Sequence, residues 1–133
     1  MANDWKWQLA AALLLIVAGC GRGHDGRCSL GGSVSLASQP VDGGHIQFAS
    51  LAGDRSTSSG AVIHGGRYSI PAEKGLTPGK YRVRIYWPEK IVFKPGPNPL
   101  PKERIPAKYN VGSELTVEVQ QGRANNFDFT VEP

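Results

Sequence analysis

Tyr81-Arg82-Val83-Arg84-Ile85-Tyr86-Trp87 is the stretch that decides the fold. Tyr81, Val83, Ile85 and Trp87 fall on one side of an extended chain, and Arg82, Arg84 and Tyr86 fall on the other. A period of two marks a strand with one face buried and one face wet. The two arginines are expected to pair across strands with Glu114, Glu118 or Asp128, each pair contributing only a few tenths of a kcal/mol.

The same period recurs outward from this stretch. Leu115, Val117 and Val119 alternate with Glu114, Thr116 and Glu118, and Phe127, Phe129 and Val131 alternate with Asp128, Thr130 and Glu132. Upstream, Leu30, Val34 and Leu36 share a side of Ser29–Leu36, although Gly31 and Gly32 interrupt the run. Ser38-Gln39-Pro40 turns the chain, and Ile46 and Phe48 resume the alternation after Gly43-Gly44. Ala49 to Gly60 reads as an exposed loop rich in glycine and serine. Ala61-Val62-Ile63, the turn His64-Gly65-Gly66 and Arg67–Ile70 read as a hairpin with Tyr68 and Ile70 on one face. Pro78-Gly79 suits a type II turn, the proline fixing φ and the glycine accepting the left-handed position. No segment of the mature chain has a convincing helical period. About seven short strands in roughly 105 residues, separated by turns, predict two packed sheets. The expected fold is therefore all-β, a seven-stranded antiparallel, immunoglobulin-like β-sandwich over residues 28–133.

The amino terminus reads differently. Leu9 to Gly19 is an apolar run of eleven residues. As a helix it would span roughly 16 Å at about 1.5 Å per residue, half of a hydrocarbon core near 30 Å. That length suits the h-region of a signal peptide, here residues 1–19. Val17-Ala18-Gly19-Cys20 looks like a bacterial lipobox, which makes Cys20 the expected lipidation site. Two or three acyl chains on one thiol would hold it to a membrane permanently, since each buried methylene contributes about 0.8 kcal/mol. Residues 20–27 then form the lipidated cysteine and a flexible tether, whose seven residues from Gly21 to Arg27 reach about 15 Å. Gly21 stands where an aspartate would favour inner-membrane retention, so the expected location is the cell envelope, with the outer membrane favoured over the inner.

Removing residues 1–19 leaves 114 residues, enough for one domain. The formal net charge of +4 is spread among both signs, with no lysine-arginine block of the kind nucleic-acid binders carry. Nucleic acid is not an expected partner. With Cys20 acylated, Cys28 has no intramolecular partner. It reads as a small apolar residue opening the first strand or as the donor of an intermolecular disulfide. His24, His45 and His64 have no metal-ligand spacing, and no serine sits in a Gly-x-Ser-x-Gly elbow. No catalytic residue, metal or cofactor is expected, and the chain reads as a non-enzyme.

The run Val34-Ser35-Leu36-Ala37-Ser38-Gln39-Pro40-Val41-Asp42-Gly43-Gly44-His45-Ile46-Gln47-Phe48 resembles the opening of small envelope lipoproteins of planctomycete bacteria. The likeness continues through Gly66-Arg67-Tyr68, Pro78-Gly79-Lys80-Tyr81-Arg82-Val83, Ile105-Pro106-Ala107-Lys108-Tyr109-Asn110, Leu115–Val119 and Asn125–Phe129. Their domain is transthyretin-like, or carboxypeptidase-regulatory-like. The resemblance implies a prealbumin-like sandwich tethered to a membrane, and it implies no activity. Transthyretin-fold enzymes that hydrolyse hydroxyisourate end in Tyr-Arg-Gly-Ser, whereas this chain ends Phe129-Thr130-Val131-Glu132-Pro133.

The candidate binding feature is the insertion between Tyr86 and Leu115. Pro88, Pro95, Pro97, Pro99, Pro101 and Pro106 bar it from a central strand. Lys90, Lys94, Lys102, Arg104 and Lys108 outnumber Glu89 and Glu103, and Trp87, Phe93 and Tyr109 are expected to supply aromatic surface. A preordered proline-rich backbone loses little entropy on binding. The expected function is a membrane-anchored, non-catalytic binding or structural module whose loop meets an envelope protein or an anionic polymer. The alternatives are an accessory subunit of an envelope or export assembly and, less favoured, a hydrolase without a recognised motif.

Overall fold

The computed structural model describes residues 26–52 and 58–133. In chain order the strands are β1 (Leu30–Leu36), β2 (Gln39–Pro40), β3 (His45–Ser50), β4 (Ser58–Val62), β5 (Arg67–Ile70), β6 (Gly79–Tyr86), β7 (Thr116–Val119), β8 (Asn125–Asn126) and β9 (Phe129–Val131). Single 3-10 turns at Ala72–Lys74 and Ala107–Tyr109 are the helical elements among the described residues. The expected signal segment, residues 1–19, and Cys20 lie outside those residues, and no described helix is long and apolar enough to cross a membrane.

Two sheets form. One has the order β4-β3-β6-β7, antiparallel throughout. The other is centred on β1, with β5 and β2 along one edge and β8 and β9 along the other. Their facing side chains make one core. Leu30, Val34, Tyr68, Ile70 and Val131 from the β1 sheet meet Ile46, Phe48, Tyr81, Val83, Ile85 and Val119 from the other. The Phe48 and Tyr68 rings, one from each sheet, lie 5.9 Å apart in a tilted contact, a favoured geometry for aromatic pairs.

The architecture is all-β, as the alternation predicts, but it departs from an all-antiparallel arrangement of seven strands. Among the described residues nine segments pair, and β8 and β9 run parallel to β1. The reason is directional. β7 ends at Val119, opposite Gly79, at the pole where β1 begins: Cys28, two residues before β1, bridges Leu76, three residues before β6. A chain that crosses sheets there enters beside Leu30 and must run the same way as β1.

Phe127 to Val131 is not one uninterrupted strand. The ladder breaks at Phe127-Asp128, where the Phe127 carbonyl approaches the Gly32 backbone so closely that only a residue without a Cβ fits there. Asp128 Oδ1 accepts hydrogen bonds from the Ser33 amide at 2.8 Å and the Ser33 hydroxyl at 3.1 Å, filling the gap. The Tyr68 hydroxyl donates to the Phe127 carbonyl at 2.8 Å. Gly32, Tyr68 and Asp128 therefore join the two ends of the domain.

The expected hairpin over Ala61–Ile70 is a crossing between sheets. β4 pairs with β3 and β5 with β1, while His64 and Arg67 exchange both backbone hydrogen bonds around Gly65-Gly66. The left-handed backbone of both glycines makes so tight a turn possible (φ 55° and 79°). Ser58–Gly60, expected in a loop, belong to β4, and Gln39–Pro40, expected in a turn, form β2 behind the turn Ala37-Ser38. Cys28 is half-buried, packed against the core at the entry to β1, and bonded through its backbone to Leu76.

Replacing Gly32 with alanine is expected to lower stability by about 1–3 kcal/mol, as other overpacked sites do. Gly31→Ala, whose added Cβ would meet the Tyr68 carbonyl at 3.4 Å, is expected to cost well under half of that. Urea unfolding of both variants checks the pair.

Burial, reinforced by the nearby Asp128 charge, pushes the Tyr68 hydroxyl well above the ordinary tyrosine range. A raised folded-state value leaves stability intact below the unfolded value near 10 and erodes it as pH rises beyond that. The urea midpoint is therefore expected to fall between pH 8 and pH 11, and to fall less in Tyr68→Phe. At pH 8 that variant should lose about 1 kcal/mol with its hydrogen bond.

Candidate functional site

The insertion after β6 begins inside the core. Trp87 continues the alternation of Tyr81, Val83 and Ile85 and is 5% exposed. Its indole Nε1 donates to the Asp42 carbonyl at 2.9 Å. Its backbone amide donates to Glu103 Oε1 at 2.6 Å, and the same oxygen accepts the Ile105 amide at 2.9 Å. Arg104 donates its amide to the Trp87 carbonyl at 3.2 Å and holds its guanidinium 4.7 Å above the indole ring. With the Glu89 amide bonded to the Lys102 carbonyl at 2.8 Å, the two arms form a short stem. Proline cannot donate to such a ladder, and Pro88 faces Glu103 in a bridge that does not require its nitrogen.

Beyond the stem the chain is tied only to itself. Asn98 closes the far turn: its Oδ1 accepts the Lys94 amide at 3.0 Å, and its Nδ2 donates to the carbonyls of Lys94 and Gly96, each at 3.2 Å. Val92, Phe93 and Leu100 are 76%, 81% and 91% exposed. Lys90, Lys94 and Lys102 are exposed beside them, and no carboxylate occurs between Lys90 and Lys102. The loop encloses an open concavity of about 490 Å³ lined by Ile91, Val92, Pro97, Pro99 and Leu100 together with the lysines and Glu89.

The return arm docks on the core again. Ile105 is buried, and Asn110 is buried with Nδ2 donating to the Ile105 carbonyl at 3.1 Å and Oδ1 accepting the Val111 amide at 2.7 Å. Tyr109 packs against the core and its hydroxyl accepts the Glu132 amide at 3.2 Å, while Lys108 lies 5.0 Å over its ring. The buried Ser113 hydroxyl donates to the Val83 carbonyl, fixing the chain to the edge of β6.

The candidate residues thus separate into two groups. Lys90, Phe93, Lys94 and Lys102 share the exposed tip. Trp87, Arg104 and Tyr109 belong to the base, and Trp87 is core rather than the aromatic surface its place in the insertion suggests. Val92 and Leu100 join the tip although the sequence reading passed over them; an apolar residue inside a proline run that cannot enter a sheet was the available signal. Asp42 and Glu103 hold the stem through contacts 45 and 16 residues apart, which no local pattern announces.

The tip and the chain's entry lie at opposite poles. Cys28 bridges Leu76 just before β6 begins, and the loop leaves where β6 ends. The eight residues of β6 separate the two by roughly 25 Å at about 3.4 Å per residue.

His45 stacks on Tyr86 with centroids 4.7 Å apart, and His64 occupies the turn before β5. Among the described residues no group of three His, Cys, Asp or Glu side chains is placed to hold a metal ion. No protein-family model, curated protein or solved structure matches the chain.

Glu103→Ala is expected to loosen the stem without unfolding the sheets, since two backbone amides lose a charged acceptor, each such bond being worth about 1.5–3 kcal/mol. Amide exchange should accelerate at Trp87 and Ile105 and stay unchanged at Ile46 and Val83, which hydrogen exchange by NMR resolves.

Proposed function

We propose that this protein is a non-catalytic binding module, lipid-anchored in the cell envelope through Cys20, that engages an acidic-rimmed apolar groove on a partner protein with its proline-rich loop. The observation that carries the reading is the tip itself: Val92, Phe93 and Leu100 stand almost wholly in solvent among three lysines, on a stem pinned to the core. Apolar side chains this exposed favour a protein groove over a charged polymer, which would leave them wet. Lysines on both arms supply steering toward a negatively charged rim. A backbone held by Asn98 and alternate prolines loses little freedom when it docks.

The anchor fits this geometry. A tether on residues 20–27 would attach at the pole opposite the tip, so the loop is carried away from the anchoring membrane toward whatever lies deeper in the envelope. The topology proposed for the two sheets is prealbumin-like, in keeping with the resemblance to envelope lipoproteins with a transthyretin-like domain. On this reading the outer membrane is the anchoring surface, and the module serves either alone or as an accessory subunit of an envelope assembly.

Two measurements test the proposal. Protein isolated from membranes should have an intact mass that begins at acylated Cys20, and Cys20→Ser should be uncleaved or released. A photocrosslinking residue at position 93 should trap a protease-sensitive adduct in cells, absent when the crosslinker replaces exposed Gln121 at the other pole. Val92→Ser combined with Leu100→Ser should abolish the adduct with no change in melting temperature. A protease-resistant adduct would point to a polymer, and equal trapping at both positions would remove the loop from the function.

A further inference from the structure

The outward face of the four-stranded sheet carries a second surface, unrelated to the loop tip. Arg82 and Arg84 project from the same side of β6, about 7 Å apart along the strand at about 3.4 Å per residue. Directly across from Arg82 stand Ala49 on β3 and Thr116 on β7, and across from Arg84 stands Gln47. None of these is acidic. The Nε of neither arginine is bonded to the carboxylates of this face: Glu118 lies opposite Lys80, one row away, and Glu114 flanks Arg84 beside the Val83–Leu115 backbone bond.

Both arginines are half-buried, and the Nε of each is shut off from solvent with no hydrogen-bond partner. A guanidinium has five donors and no acceptor, so an unpaired, water-free Nε is a donor awaiting an oxygen. Lifting the group from the sheet onto an incoming oxyanion would satisfy Nε and an adjacent Nη together, in the side-on bidentate manner that suits carboxylate and phosphate. The floor beside the pair is open. Gln47, Ala49, Ser58 and Gly60 line a shallow concavity of about 380 Å³ across β3 from the arginines. At the far end of the face His45 stacks on Tyr86, closing that row with aromatic rings.

We propose that this face binds an oxyanion between Arg82 and Arg84, a carboxylate or phosphate group of a molecule whose remainder lies over the small residues of β3 and β4. The site is independent of the loop tip and of the anchor. It makes the sheet face a recognition surface, whereas the ion pairing expected from the sequence would have made it inert.

The test is NMR of the full chain in detergent, following the arginine Nε–Hε signals while inorganic phosphate or acetate is added. Saturable shifts of the Arg82 and Arg84 signals are expected, and the probe that saturates at lower concentration identifies the group. Arg82→Lys with Arg84→Lys keeps both charges and removes the bidentate fork, and is expected to weaken binding at least about tenfold, read from the backbone amides of Gln47 and Thr116. Lys80→Gln, on the same face, should change affinity by less than about twofold, as a screened surface charge would. Linear, non-saturating shifts with both anions would overturn the proposal. So would undiminished binding by the double lysine variant, or an equal loss in Lys80→Gln, since either result reduces the site to a general positive field.

Discussion

Trp87 is the residue on which both the fold and the candidate site depend. It ends the buried row of β6, so its burial closes the core at one pole, and it begins the insertion, so its backbone sets where the loop leaves. Burying an indole removes some 150–250 Å² from water, worth about 4–6 kcal/mol at about 25 cal/mol per Å². That gain holds the stem in place, and the hydrogen bonds around it give direction. Asp42 fixes the ring, Glu103 collects the amides of both arms, and Arg104 covers the ring face. An exposed tip of proline, lysine and apolar side chains is presented rather than collapsed because its base is anchored here.

The second constraint is the path of the chain. Once β6 and β7 run antiparallel, β7 ends beside the origin of β1, and the last segment has one free edge to occupy in one direction. Parallel pairing of the first and last strands follows, and it is closed at the point where regular pairing fails. Gly32 makes room for the Phe127 carbonyl, Tyr68 donates to it, and Asp128 supplies the acceptor that the interrupted ladder withholds from Ser33. A polar cluster at the seam of two terminal strands resists fraying of the ends, which would otherwise be the least stable part of such a domain.

How far the chain could be read follows from which signals are local. Period-two burial is local, so Tyr81, Val83, Ile85, Ile46, Phe48, Tyr68 and Ile70 were legible as core and the all-β class with them. Strand partnership is not local. Gly65-Gly66 makes the same tight turn whether the flanking strands share a sheet or separate, and here Val34 and Val41 draw the Gly66 backbone toward the β1 sheet. The insertion was recognisable from its prolines, and Lys90, Lys94, Lys102 and Phe93 lie at its exposed tip. The division between tip and base was hidden, because the ties of Trp87 to Asp42 and Glu103 are long-range, and because an aromatic residue beside a proline run reads equally as surface or as core. The surroundings of Arg82 and Arg84 were hidden for a related reason. The register places alanine, threonine and glutamine directly across from them, and the Nε of both stays without a partner although Glu114 and Glu118 lie on neighbouring positions.

The two candidate surfaces differ in what they can recognise. The tip is apolar, exposed and mounted on a stem of a few hydrogen bonds, so it tolerates adjustment on docking. The arginine face is broad and set on β3 and β6, the central pair of its sheet, so its donors are held at a spacing the backbone determines. As proposed, one surface would recognise shape with help from charge, and the other charge with spacing imposed by strand geometry. They diverge in direction too, since the tip projects past the end of β6 while the arginines project sideways from its middle. If both proposals hold, a partner at the tip would leave the sheet face open, because the two surfaces point in different directions.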